Sequence, residues 1–208
     1  MENRKTSFMK RVAMLVMALA VVLTTVLIPA PAKAATDSDL FVVGSYTMAK
    51  GEKWQIMVYN AADNAKISFK TSKKTVATVS KKGVVSGKKA GNAVITVTVK
   101  QGKDTYQAKT KIKVKSKITY ADAIKRVKPE VTYVYVKAVE LAEANGWLNN
   151  ADAVAYLEAC ADIVDDMNKM ASNPKAYSDE DLEDELTAIG VMMEQMDTFI
   201  EVFSSPCP

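Results

Sequence analysis

The sequence predicts two folded parts: an antiparallel β-sandwich followed by an antiparallel three- or four-helix bundle. Three observations carry that reading. Between Phe41 and Lys115, short β-branched runs are separated by glycine-bearing turns. Beyond Lys117, apolar residues recur at helical spacings of three and four. The charge reverses at the same place: residues 40–117 hold 17 lysines against Glu52, Asp63 and Asp104, a net +14, whereas residues 118–208 hold 6 basic and 18 acidic residues, a net −12. The 208-residue chain as a whole carries only +4. A break this sharp marks a domain boundary, and we place a basic domain at 40–116 and an acidic one at 118–204.

The chain opens with Arg4, Lys5, Lys10 and Arg11 ahead of an apolar run from Val12 to Ile28. Pro29, Pro31 and the small-residue pattern Ala32-Lys33-Ala34 follow. A basic segment, an apolar segment and an A-x-A site make residues 1–34 a secretory signal peptide, cut after Ala34. An uncleaved anchor is the alternative, since the run is near the short limit for a membrane span. The expected location is therefore secreted or extracellular, with cell-wall association left open. The only membrane contact expected is through the signal segment during export.

The basic part reads as strands in sequence. Lys50-Gly51-Glu52 turns the chain into Trp54–Tyr59, and a loop over Asn60–Asn64 leads to Lys66–Thr71. Val76–Val79 passes through Lys81-Lys82-Gly83 into Val84-Val85; Ala93–Val99 follows Gly91, and Gln101–Asp104 turns into the last strand. Gly83, Gly87 and Gly91 fall at reversals that need a left-handed conformation or a close backbone approach. The last strand alternates: Tyr106, Ala108, Thr110, Ile112 and Val114 share one face, and Gln107, Lys109, Lys111, Lys113 and Lys115 the other. Seven short strands with turns at this spacing predict two packed sheets.

The stretch KISFKTSKKTVATVSKKGVVSGKKAGNAVITVTV, with its VATVS strand, GVVSG turn and KAGNAVITV strand, resembles the bacterial immunoglobulin-like domain of group 2 found in intimin- and invasin-type surface proteins. The resemblance covers about residues 40–115. It implies an immunoglobulin-like sandwich in a secreted or surface protein, used as a spacer, adhesive or wall-associated module, with no catalytic motif. Where the family usually has a tryptophan before the VATVS strand, this chain has Phe69; Trp54 is the candidate to fill that core volume.

In the acidic part, Thr119 and Asp122 would cap a short helix ending near Pro129. Pro129 would then open a second helix ending at Asn145-Gly146. Val131–Val136 also reads as a strand, and the following Lys137–Ala144 favours helix. Ala153, Tyr156, Cys160, Ile163, Met167 and Met170 form an apolar seam behind Asn149 or Asn150 as N-cap. Leu182, Leu186, Ile189, Met193, Met196, Ile200 and Phe203 form another behind Ser178, with Asp181 completing a capping box. The break at Asn173-Pro174 makes these two helices antiparallel neighbours, with Cys160 opposite Gly190.

Histidine is absent, which removes Ser-His-Asp and Cys-His catalysis and His-ligated zinc. Cys160 and Cys207 are too few for a disulfide framework or thiolate metal site, and helix rise separates them by about 25 Å, which disfavours a bridge. The acidic run Asp179–Glu185 lacks the EF-hand spacing and suits the first turn of a helix. No catalytic residue, metal site or cofactor is read, so an enzyme is the least supported class. The lysines have two readings. Outward lysines keep sheet edges from pairing. Alternatively, Lys109, Lys111, Lys113 and Lys115 form a one-sided ladder and Lys81, Lys82, Lys88 and Lys89 cluster on turns, a candidate polyanion-binding set. The partners would be an anionic cell-wall polymer or glycan, or an acidic protein surface. Nucleic acid is not expected, since the basic part has no arginine and no recognition helix. The function this predicts is a non-catalytic binding or adhesion protein, with the basic module on an anionic surface and the helical module on a partner. The alternative is an assembly protein whose basic and acidic domains dock within or between chains.

Overall fold

The computed structural model describes residues 40–207; the signal peptide expected over 1–34 lies outside them. The described residues divide into two compact units, 40–126 and 127–207.

The described residues of the first unit form nine strands: β1 (Phe41–Val42), β2 (Ser45–Ala49), β3 (Lys53–Gln55), β4 (Val58–Tyr59), β5 (Lys66–Thr71), β6 (Ala77–Val79), β7 (Val84–Gly87), β8 (Gly91–Gln101) and β9 (Asp104–Lys115). They build a four-stranded sheet in the order β2-β9-β8-β5, a three-stranded sheet β3-β7-β6, and the pair β1-β4. All these ladders are antiparallel except β2–β9, which is parallel. The strand expected over Trp54–Tyr59 is divided in two. At the division Ile56 is buried and its N–H donates to Gly83 O, while Gln55 Nε2 donates to the carbonyls of Ile56 and Lys82. That bond continues the β3–β7 register by one residue, but the return donor, Gly83 N–H, is committed to Ser80 O inside the turn and Ile56 O is taken by Gln55, so the ladder stops there.

The alternation read in the sequence builds the core. Ala93, Ile95, Val97 and Val99 of β8, with Ile112 and Val114 of β9 and Tyr46 and Met48 of β2, point inward against Ile56, Val76, Ala77 and Val85. Thr110 is fully buried among them and donates its Oγ1 hydrogen to Val43 O at 2.8 Å, which satisfies its hydroxyl. Trp54 stacks on Tyr46, centroids 3.9 Å apart, while Phe69 itself packs over Gly83. Gly83 has φ +85°, and a Cβ there would lie 2.7 Å from the Phe69 ring. Gly87 meets the other requirement, close approach: a Cβ would lie 2.8 Å from Ala49 O.

α1 (Tyr120–Ala144) is one continuous helix of 25 residues with Pro129 inside it, where the sequence predicts two helices. Proline removes one backbone bond and costs about 3 kcal/mol in a helix interior. That cost is offset because both ends are fixed and one face is buried. Asp122 N–H donates to Thr119 Oγ1 and Thr119 N–H to Asp122 Oδ2, a reciprocal cap. Gly146, φ +80°, ends the helix. Val131, Val134, Ala138 and Ala142 are buried at helical spacing, so the β-branched run is helical rather than extended.

The second unit holds the rest of α1 with α2 (Ala151–Ser172) and α3 (Asp179–Phe203). Asn150 caps α2 through its side chain, and Ser178 and Asp181 form a capping box on α3. Beyond α1, Asn145 Nδ2 donates to Phe203 O and Trp147 Nε1 to Ser205 O, so the C-terminal ends of α1 and α3 meet and α2 runs antiparallel to both. Trp147, Phe203, Phe199 and Tyr156 make a continuous aromatic core, with Tyr156 stacked on Phe199 at 3.5 Å. That stack turns the α3 seam. Its buried line is Leu182, Glu185, Ile189, Met192, Met196, Phe199 and Phe203, whereas Leu186, Met193 and Ile200, expected on it, are only half-buried. The same register leaves Gly190 exposed, with nothing within 4 Å of where a Cβ would stand, so it does not oppose Cys160. No helix among the described residues is long and apolar enough to cross a membrane.

Gly83 and Gly190 give opposite expectations in denaturant unfolding. Gly83→Ala forces a left-handed alanine against Phe69 and should destabilise by about 1–2 kcal/mol. Gly190→Ala, on an open helical site, should stabilise by roughly 0.5–1 kcal/mol.

Candidate anion-binding face of the four-stranded sheet

Because successive side chains alternate, strand register decides which lysines share a surface. On the outward face of the four-stranded sheet, Lys109 is level with Thr96 and Lys70; Lys111 with Ser45 and Val94; Lys113 with Thr47 and Asn92; and Thr105 with Lys100 and Lys66. Six exposed lysines therefore lie on this face, Lys66, Lys70, Lys100, Lys109, Lys111 and Lys113, and Lys115, next in the β9 line, is half-buried at its end. Between them stand Ser68, Thr96, Thr98 and Gln107, and among the described residues no carboxylate stands in these lysine rows. Lys66 and Lys100 are direct cross-strand partners, an unfavourable like-charge pair. A shallow groove of about 450 Å³ opens on the same face, lined by Ser45, Thr47, Ser72, Val94, Lys111 and Lys113.

The eight lysines singled out in the sequence are not brought together. Lys109, Lys111 and Lys113 are on the sheet face. Lys81 and Lys82 lie in the turn between β6 and β7, where Ser80 Oγ accepts from the N–H groups of Lys82 and Val84. Lys88 and Lys89 sit at the other end of β7, where both their N–H groups donate to Val76 O. Lys115 is engaged by Asp122, with Nζ 2.8 Å from both carboxylate oxygens. Lys66, Lys70 and Lys100, which share the face, are not among the residues the sequence singles out. The alternation Lys66-Ile67-Ser68-Phe69-Lys70 carries the signal for β5, but only the register shows that β5 extends the β9 ladder.

Three carboxylates of this unit are accounted for near its edges. Glu52 Oε2 accepts from Ala49 N–H at 2.7 Å, and Oε1 lies 2.7 Å from Arg126 Nη1. Arg126 also donates to Thr47 O and stands 5.0 Å from the centroid of the Tyr46 ring. Asp104 opens β9 beside the hairpin turn at Gly102, one residue beyond the Lys66–Lys100–Thr105 row and, by strand alternation, on the opposite side of the sheet. At Asp122 burial works against the charge, but the hydrogen bonds from Lys115 and Thr119 outweigh it and hold the carboxyl below its ordinary value.

In the helical unit, burial pushes the Cys160 thiol up to about 12, so it stays neutral and serves as packing. Cys207 is half-buried beside Gly146, its N–H donating to Asn145 O; both cysteines are free thiols.

The depressed Asp122 value has a defined pH signature. Its contribution is complete above the ordinary aspartate pKa and is lost as the pH falls through the lower folded value. Asp122→Asn should therefore cost about 1 kcal/mol at neutral pH, and the gap to the unaltered protein should narrow as unfolding is measured at successively lower pH below about 4.

Residues 44–110 match the family model of the bacterial Ig-like domain (group 2). No curated protein matches the chain. Among solved structures, domains 4 and 5 of the S-layer protein SbsC are 22% identical, over 35% of this chain and 50% of that one, with a TM-score of 0.27. An intimin mutant of EHEC O157:H7 is 22% identical over 42% of this chain and 53% of that one, with a TM-score of 0.26. A bacterial Ig-like domain containing GH10 xylanase from termite gut is 20% identical over 36% of this chain and 20% of that one, with a TM-score of 0.25. The chain thus spans about half the length of the first and second of these and a fifth of the third. The resemblance read in the VATVS, GVVSG and KAGNAVITV segments is met by the family match, and the chain carries a bacterial Ig-like domain of group 2 over residues 44–110.

Proposed function

We propose that this chain is a non-catalytic, exported surface or adhesion-type protein whose Ig-like unit contacts an anionic surface polymer. The observation that carries the reading is the outward face of the four-stranded sheet, six lysines with no carboxylate among them. A face kept only for solubility gains most from interspersed charge of both signs. A single-sign face of this size instead produces a field that draws polyanions. The lysines of the turns, Lys81, Lys82, Lys88 and Lys89, add to that field without forming part of the face. Export rests on the signal-like pattern of residues 1–34, and the Ig-like family match agrees with a surface role.

The helical unit turns acidic stripes outward, Asp152, Glu158, Asp162 and Asp165 on α2 and Glu194, Asp197 and Glu201 on α3. These support a second reading, in which the acidic helices of one copy dock on the basic sheet of another. One salt series separates the two. The exported protein should sediment with purified cell-wall material at low ionic strength and be released near 1 M salt, where the Debye length is roughly 3 Å, while light scattering finds one unchanging size. Growth in size at low salt would favour assembly instead, and absence of wall binding at low salt would remove the polymer-binding reading.

A further inference from the structure

The spacing of the lysines narrows the kind of polymer. We infer that the outward face of the four-stranded sheet binds an extended, phosphodiester-linked polyol chain lying along β9. This inference rests on the polymer-binding reading above.

Lys109, Lys111 and Lys113 project from one face at every second residue of a continuous strand. In an extended strand that repeat is about 6.8 Å. Two residues of extended peptide contain six skeletal bonds. A polyol phosphate with three carbons between phosphates also places six skeletal bonds between successive phosphorus atoms. When drawn out it therefore repeats its charge at about the same 7 Å. One phosphate can thus meet one lysine at each step without the chain having to coil. A polymer with charges much closer together would leave most of its anions between lysines, and one with wider spacing would skip them.

The neighbouring rows suit such a ligand. Thr96, Thr98, Ser45 and Thr47 flank the lysine line and present hydroxyls to the polyol or phosphate oxygens. Lys70 lies two strands from Lys109 through Thr96, about 10 Å across the sheet, which gives the chain a second rail at one end. Lys66 and Lys100, held side by side against their repulsion, gain from an anion placed between them. Single-stranded nucleic acid shares the six-bond repeat, but among the described residues the outward positions of these four strands hold no aromatic side chain to stack a base. The polyol phosphate is the better fit.

The test uses the exported protein and immobilised poly(glycerol phosphate), with affinity measured over a salt series. One variant carries Lys109→Gln, Lys111→Gln and Lys113→Gln; the other carries Lys81→Gln, Lys82→Gln, Lys88→Gln and Lys89→Gln. Both sets are exposed, and a thermal melt checks that each variant folds. The sheet variant should lose at least about tenfold in affinity at low salt and lower the log–log salt slope by about 2, near 0.7 for each of three lost phosphate contacts. The turn variant, despite losing one more charge, should keep the slope. If the unaltered protein binds wall material but the turn variant loses the slope and the sheet variant keeps it, this assignment is wrong while the broader reading stands. If the unaltered protein binds neither probe nor wall, both fail. An oligothymidylate or a polyglutamate that competes as well as the polyol phosphate would overturn the ligand class.

Discussion

The β unit depends on how the free edge of β2 is closed. This strand is the outermost of its sheet, and its ladder with β9 is parallel. Its outward-facing backbone groups, Ala49 N–H and Thr47 O, would otherwise be open to another chain. Glu52 accepts the first and Arg126 donates to the second, and the two side chains pair at 2.7 Å. Both are largely buried, 23% and 17% exposed, so their interaction is less screened than a surface pair. The guanidinium also lies over Tyr46, which stacks on Trp54 and so ties one sheet to the other. A carboxylate in a turn and an arginine in the first helix thus hold the strand that sets Ser45 and Thr47 beside Lys111 and Lys113.

This arrangement explains where the few acids among so many lysines go. Glu52 and Asp122 are engaged at the edge and at the start of α1, where each answers backbone donors as well as a cation. Asp122 answers Lys115 at the end of the ladder, and neither acid is paired with the six exposed lysines of the sheet face. The repulsion between Lys66 and Lys100 is retained rather than relieved, in keeping with a face whose counter-charge comes from outside the molecule.

Much of the fold is legible in the sequence where one physical rule acts alone. The alternation in β8 and β9, the glycine turns, and the caps at Asn150, Ser178 and Gly146 follow from local chemistry and are found in place. The departures occur where a distant group intervenes. The β3–β7 ladder stops at Ile56 because Gly83 N–H is committed to Ser80 O within the turn, and α1 runs through Pro129 because caps at both ends and a buried face outweigh one missing bond. In α3 the spacing of three and four fits two neighbouring seams equally well. The stack of Tyr156 on Phe199 selects the one that buries Glu185, which pattern alone would place outside. The candidate face is an intermediate case: β9 shows its ladder plainly, but the part played by Lys66, Lys70 and Lys100 emerges only when β5 and β8 are put in register.

The central claim is that one sheet face, rather than the lysine content of the unit, recognises the polymer. Acetylation footprinting of the exported protein, with and without poly(glycerol phosphate), addresses it lysine by lysine. Protection confined to Lys66, Lys70, Lys100, Lys109, Lys111 and Lys113, with Lys81, Lys82, Lys88 and Lys89 reacting as before, is the predicted result. Equal protection of both groups, or protection of the turn lysines alone, would contradict it.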